Sequence, residues 1–148
     1  MSAIAELPDV LGAMTAPVSQ PSLADILRLQ HLCAQLPQEE LPVQHVFLPG
    51  QYLRKMTMAA GTLVVGKRHR FRHALIVSGH VTIRTAQGMV ELQGMHIIDS
   101  PAGMKRAIYA HAPSELVTVH LTDETDLERI EALVIMPDDE PLELEAQP

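Results

Sequence analysis

The sequence predicts an all-β sandwich or barrel with an amphipathic helix on its N-terminal side and a short helix near its C-terminal end. Two observations carry the β assignment. From Val43 onward, apolar and polar residues alternate with period two, as a strand with its side chains on opposite faces requires. The alternating runs are short, closely spaced and separated by turn dipeptides, the pattern of an antiparallel β domain. A third observation sets the helix apart: between Ser22 and Leu36 the apolar spacing is helical.

Residues 1–20 are rich in Ala, Pro and Ser without a sustained period and are expected to form a flexible arm. The helix is expected over residues 21–37. Ser22 can cap its first turn and Asp25 lies where the helix dipole favours a negative charge. Leu23, Ile26, Leu27, Leu29, His31, Leu32 and Leu36 give it a wide apolar stripe, and Pro37 ends it. Such a stripe needs a partner, either the wall of the β domain or a second subunit. The β domain with its short helix is expected over 42–136. Its strand runs are Val43–Leu48, Tyr52–Met58, Thr62–Val65, Ala74–Val77, Val81–Thr85, Met89–Leu92, His96–Asp99, Ala107–Tyr109 and Leu116–His120. Turns are expected at Pro49-Gly50, Ala60-Gly61, Ser78-Gly79, Gln87-Gly88, Pro101-Ala102-Gly103 and Ala112-Pro113-Ser114. An immunoglobulin-type sandwich is the main competitor, but the chain has one cysteine and no tryptophan, so that fold's Cys–Trp–Cys landmarks are missing. Thr125-Asp126-Leu127-Glu128 has the spacing of a capping box and predicts a helix over 126–133. Residues 137–148 form an acidic segment expected to be a disordered tail.

Composition narrows the functional classes. At 148 residues the chain is expected to be one domain. It has no apolar run long enough for a membrane helix, and its first residues lack the basic and apolar regions of a signal peptide. A net charge of −7 disfavours non-specific nucleic-acid binding, and two Tyr and two Phe with no Trp leave little for base stacking. Cys33, the single cysteine, forms no internal disulfide and suits a reducing cytoplasm, the expected location.

The motif-bearing region runs from Gly61 to Arg106. Gly61 is followed by five residues and then Lys67-Arg68-His69; three more residues precede His73, and Gly79 follows. Further on, Gly94 precedes Pro101-Ala102-Gly103, and two residues separate Gly103 from Arg106. This arrangement resembles the two signature motifs of the cupins, over about Val43 to His120. The resemblance implies a jelly-roll barrel. In cupins the motif positions carry His, His, Glu and His, which hold a divalent metal at the barrel mouth. Here the matching positions hold Lys67, His69, His73 and Arg106. The wider run also resembles small cupin-like proteins of phages and prophages, which implies a setting and no reaction.

The substitutions govern the chemistry. In a strand, Lys67 and His69 share one face, and the resemblance points both into the barrel with His73 on the following strand. Lys and Arg have no lone pair for a metal at neutral pH. Each cation beside an ion also costs about 4 kcal/mol at 4 Å and an effective dielectric of 20. The reading that follows is a cationic pocket of Lys67, Arg106, Arg54, His69, His73 and Tyr52 for a carboxylate, phosphate or sugar phosphate. Against it, Lys67 can lie at the rim with only its stem buried, and Arg106 can pair with Asp99 or Glu91. A metal remains the alternative, with His69, His73 and His120 as three imidazoles around an open position; otherwise no cofactor is expected. His31 reads as a packing or interface residue. His45 can lean over the pocket, while His80, His96 and His111 show no partner pattern. Tyr52 can equally be a wall residue whose hydroxyl bonds the backbone. Cys33 reads as a buried thiol, and the basic stretch from Lys67 to His73 as part of a hairpin.

Three functions follow: a non-enzymatic module binding a small anion; an enzyme, either a metal-dependent oxygenase or isomerase or a metal-free epimerase with a histidine base; and a structural or host-interaction protein of a phage. Self-association as a dimer or larger homo-oligomer is expected, because the helix stripe and open sheet edges invite it.

Overall fold

The computed structural model describes residues 2–5, 12, 14–16 and 21–141. The chain is a jelly-roll, a curled all-β sheet with a helix packed at each end. The described residues form ten strands: β1 (Ser2–Ala5), β2 (Val43–Leu48), β3 (Gln51–Met58), β4 (Thr62–Val65), β5 (Arg68–His69), β6 (His73–Thr85), β7 (Gly88–Ser100), β8 (Ala107–Ala110), β9 (Ser114–His120) and β10 (Ile135–Met136). Two helices with fully described bounds are α1 (Leu23–Ala34) and α2 (Leu127–Val134). Among the described residues, no helix is long and apolar enough to cross a membrane.

The spine of the fold is the hairpin β6–β7, paired in register from His73↔Ser100 to Thr85↔Gly88. On its other edge β6 changes partner midway. Residues 74–78 pair with β9, which continues to β3 and β2, and residues 81–84 pair with β8, which continues to β4 and β1. The switch falls at Gly79, whose φ is 126°. A Cβ there would lie 2.3 Å from Ser114 Oγ and 2.8 Å from its Cα, so only glycine admits the β9 backbone at this corner. Ser78-Gly79, expected from sequence to end a strand, is instead the bend inside a long one. Gly94, opposite Gly79 in the ladder, takes φ 84°, so β7 likewise runs through the break expected between Leu92 and His96.

Sheet curvature gives two apolar layers. Inside lie Met56, Met58, Val64, Leu75, Val77, Val81, Ile83, Ile108 and Leu116. Outside, Ile26, Leu29 and Cys33 of α1 pack on Leu63, Val65 and Ala107. All four residues of β4 are buried because it has the barrel core on one face and α1 on the other. The helix stripe is thus used on the barrel wall, one of its two expected partners. Ser22 caps α1 through a capping box with Asp25, and the helix spans Leu23–Ala34 within the wider expected range. Cys33 is buried, and burial raises its thiol pKa. His31 is exposed and bonds Gln35.

At three further places the chain departs from the sequence expectation. Within the segment read as an arm, β1 pairs with β4 from Ser2↔Val65 to Ala5↔Thr62, and Met14 is buried under α1; most of the rest of 1–20 lies outside the described residues. The N-cap of α2 is Asp126, whose carboxylate accepts from Arg129 N at 3.1 Å, rather than Thr125. Residues 137–140, read as the start of a free tail, are bound. The guanidinium of Arg68, 3% exposed, donates to the carbonyls of Gly103, Pro137, Asp138 and Glu140 at 2.8–3.2 Å. Asp138 accepts from Lys105 at 2.8 Å, and Glu140 pairs with Arg70 at 2.7 Å. Residues 142–148 lie outside the described residues. The basic stretch is therefore largely neutralised within the fold, since Arg72 also pairs with Asp99.

Candidate functional site: a cationic cavity closed by the C-terminal helix

The inner face of the sheet encloses a cavity of about 430 Å³. Strand alternation selects its lining. His45 of β2, Tyr52 and Arg54 of β3, His69 of β5, His73 and Leu75 of β6, Arg106 and Ile108 beside or on β8, and Thr118 and His120 of β9 all face inward. The lid is α2, which contributes Leu127, Ile130, Glu131 and Val134. Ile130 and Val134 lie four apart and pack against Tyr52. Sequence reasoning assigned α2 no role at the site. The spacing Leu127–Ile130–Val134 was the available signal, because it marks an apolar face that must be covered.

His69, His73 and His120 come together. Ring centroids are 4.4 Å apart for His69–His73 and 5.1 Å for each of the other pairs. Burial is the main force on their protonation. It pushes His69 down to about 3, with help from the charge of His73, His120, Arg106 and Arg54. It pushes His120 down to about 4, with His73 and Arg54 contributing. His73 is lowered for the same reason, partly offset by its bond to the Phe71 carbonyl at 3.0 Å. All three rings are therefore neutral near pH 7. His120 Nε2 lies 3.1 Å from Thr118 Oγ1.

The two arginines face the same space. Arg106 donates to Ser100 Oγ at 2.7 Å and pairs with neither Asp99 nor Glu91, which are taken by Arg72 and His80. Burial lowers its pKa. Arg54 has no hydrogen bond or ion pair among the described residues. Lys67 sits at the rim, 44% exposed, with its ammonium 3.9 Å from Glu131. Among the described residues, Glu131 is the one carboxylate in the lining. Tyr52 reaches a side chain rather than the backbone: its hydroxyl is 2.6 Å from His45 Nδ1, and its ring stacks on His120 at 5.9 Å. Burial raises its pKa. His45 does lean over the pocket, as the position of its strand suggested.

This donor set suits an anion better than a metal. Two guanidiniums share the cavity, and among the described residues the only carboxylate in its lining is at the rim. Among the described residues, the group whose ligand atoms all lie within 4.8 Å of one another is His80, Glu91 and His111 on the outer face, not the inner histidines. His69, His73 and His120 do not form such a group, although their ring centroids are 4.4–5.1 Å apart.

No protein-family model and no curated protein matches the chain. Several solved structures are similar to it. A cupin-2 domain protein from Shewanella frigidimarina is 12% identical over 63% of this chain and 91% of that one, at a TM-score of 0.44. A cupin 2 conserved barrel domain protein from Salinispora arenicola is 11% identical over 63% and 82%, at 0.46. The cupin domain of Cnp3 from Schizosaccharomyces pombe is 17% identical over 58% and 67%, at 0.45. These are distant likenesses of shape, and the jelly-roll assignment rests on the strand order and curled sheet described above.

Proposed function

We propose that the protein binds a small organic anion with an apolar body, without transforming it. The observation that carries this reading is the pair Arg54 and Arg106 in a cavity whose other walls are mostly apolar, including Met56, Val64, Leu75, Ile108 and Leu116. A guanidinium without a carboxylate partner in a partly desolvated space favours an anionic oxygen, and its forked N–H groups suit a carboxylate or phosphate. The apolar walls favour a hydrocarbon or aromatic body over a heavily hydroxylated sugar. The neutral imidazoles can donate or accept hydrogen bonds without adding charge. Among the described residues the lining holds no serine or cysteine, which supports binding over covalent catalysis through those groups.

Calorimetry with a panel of aryl and alkyl carboxylates, their phosphate counterparts and the matching neutral amides tests this. The charged members bind and the amides do not. Arg106→Met weakens binding by roughly 10- to 100-fold, the loss of one charge-assisted hydrogen bond. Equal binding of amide and carboxylate, or an unaffected Arg106→Met variant, refutes it. Elemental analysis of protein purified without a metal column gives an independent check: a stoichiometric ion that disappears in His69→Ala would revive the enzyme reading.

A further inference from the structure

We propose a second, separate site on the outer face of the barrel, where His80, Glu91 and His111 bind a borderline divalent transition metal such as zinc, copper or nickel. Their ligand atoms all lie within 4.8 Å of one another. Two imidazoles and a carboxylate are a donor set these ions accept, and three protein ligands leave a position for water. With both imidazoles neutral the set carries one negative charge, which favours a dication.

Three strands preorganise the trio. In the β6–β7 ladder Gln93 is opposite His80 and Glu91 is opposite Thr82, so His80 and Glu91 are diagonal neighbours on one face. His111 follows β8 directly after the pair Val81↔Ala110, and its backbone N–H donates to the His80 carbonyl at 2.8 Å. The two rings are 4.4 Å apart, centroid to centroid. His80 Nε2 already lies 2.5 Å from Glu91 Oε1, so an ion would insert between groups that face each other. Neighbours orient both rings: Thr82 Oγ1 lies 2.7 Å from His111 Nε2, and the Gln93 amide is 3.5 Å from His80 Nδ1. Thr82 leaves the second nitrogen of His111 for an ion, and oriented imidazoles of this kind are typical of metal sites. Bound there, the ion ties the β6–β7 hairpin to the end of β8.

The chain supplies its own reporter. It has no tryptophan and two tyrosines. Tyr109 sits 5.0 Å from His111 in an edge contact, whereas Tyr52 lies in the barrel cavity. In the Tyr52→Phe protein, all tyrosine emission comes from Tyr109. Copper(II) ions should quench it saturably at about one equivalent, and zinc should compete. Adding Glu91→Gln or His111→Ala should weaken the quenching by roughly 10-fold or more. Far-UV circular dichroism checks that these exposed substitutions leave the fold intact. The proposal is overturned if neither substitution changes the copper affinity, or if no saturable quenching occurs up to about 1 mM. It is also overturned if only the Tyr109→Phe protein, which reports on Tyr52 in the barrel, responds to copper.

Discussion

Lowering the pH from about 8 to about 5 should cost this fold roughly 4 kcal/mol, and two side chains should account for it. Burial holds His69 near 3 and His120 near 4 in the folded chain, against about 6.5 in an unfolded one. Each therefore binds a proton more readily in the unfolded state. Their contribution is fully present above about pH 6.5 and is lost as the pH falls toward the folded values. At about pH 5 both rings are still neutral in the native protein, so their mutual repulsion does not enter and the losses add. For each, the unfolded state gains about 2 kcal/mol from protonation, which gives the sum. His73, also lowered, adds to it in the same direction. The assay is urea denaturation followed by far-UV circular dichroism, since no tryptophan reports on the core. Wild type should lose most of that stability between about pH 7.5 and pH 5, a window above the range where the depressed carboxylates take up protons. The double variant His69→Gln, His120→Gln should have a much flatter profile. A double variant with the wild-type slope would refute the reasoning, as would native-state imidazole proton resonances assigned to His69 and His120 that titrate near 6.5.

Two further predictions concern the frame. Gly79→Ala should destabilise by about 2 kcal/mol or more, because its Cβ would meet the Ser114 backbone, whereas Gly94→Ala, with nothing within 4 Å, should cost about 1 kcal/mol from its positive φ alone; equal midpoints in urea would contradict the corner assignment. On α1, Leu29→Asp should unfold the chain or cost several kcal/mol, because it places a charge between helix and wall, while Leu32→Asp, at a position 40% exposed, should leave the midpoint within about 0.5 kcal/mol. If light scattering shows that Leu32→Asp dissociates an oligomer, the outer side of α1 is an interface after all.

Much of the frame was legible because local rules decide it. Val43–Leu48 and Thr62–Val65 occur where their β-rich composition and flanking turns place them, and Ser22 with Asp25 forms the cap their spacing implies. The errors have one physical origin. Gly79 reads locally as a turn, and only the approach of Ser114 from a distant strand makes it a bend inside β6. Residues 137–140 read as a solvated acidic stretch, but they are held through their carbonyls by Arg68, and carbonyls carry no sequence signature. At the site, motif spacing and strand alternation pointed to His69, His73 and Arg106, whereas spacing alone could not place His120 beside them. The role of α2 did not, because an amphipathic helix does not say which surface it covers. His80 and His111 appeared partnerless because their neighbours lie 11 to 31 residues away in sequence and are joined only by strand register.

Arg68 and His69 are adjacent on β5, which pairs with β10 directly after α2. The three carbonyl bonds from Arg68 that anchor residues 137–140 therefore fix both the floor of the cavity at His69 and the hinge of its lid. Lifting α2 as a rigid flap would strain that anchor, whereas the Lys67–Glu131 contact at the rim is long and solvent-washed. A guest small enough to slip past this pair should associate quickly. A larger one must wait for the segment after α2 to peel away, so size should be read in the association rate before it is read in affinity. Any fusion or cleavage that disturbs residues 137–140 would relax that selection.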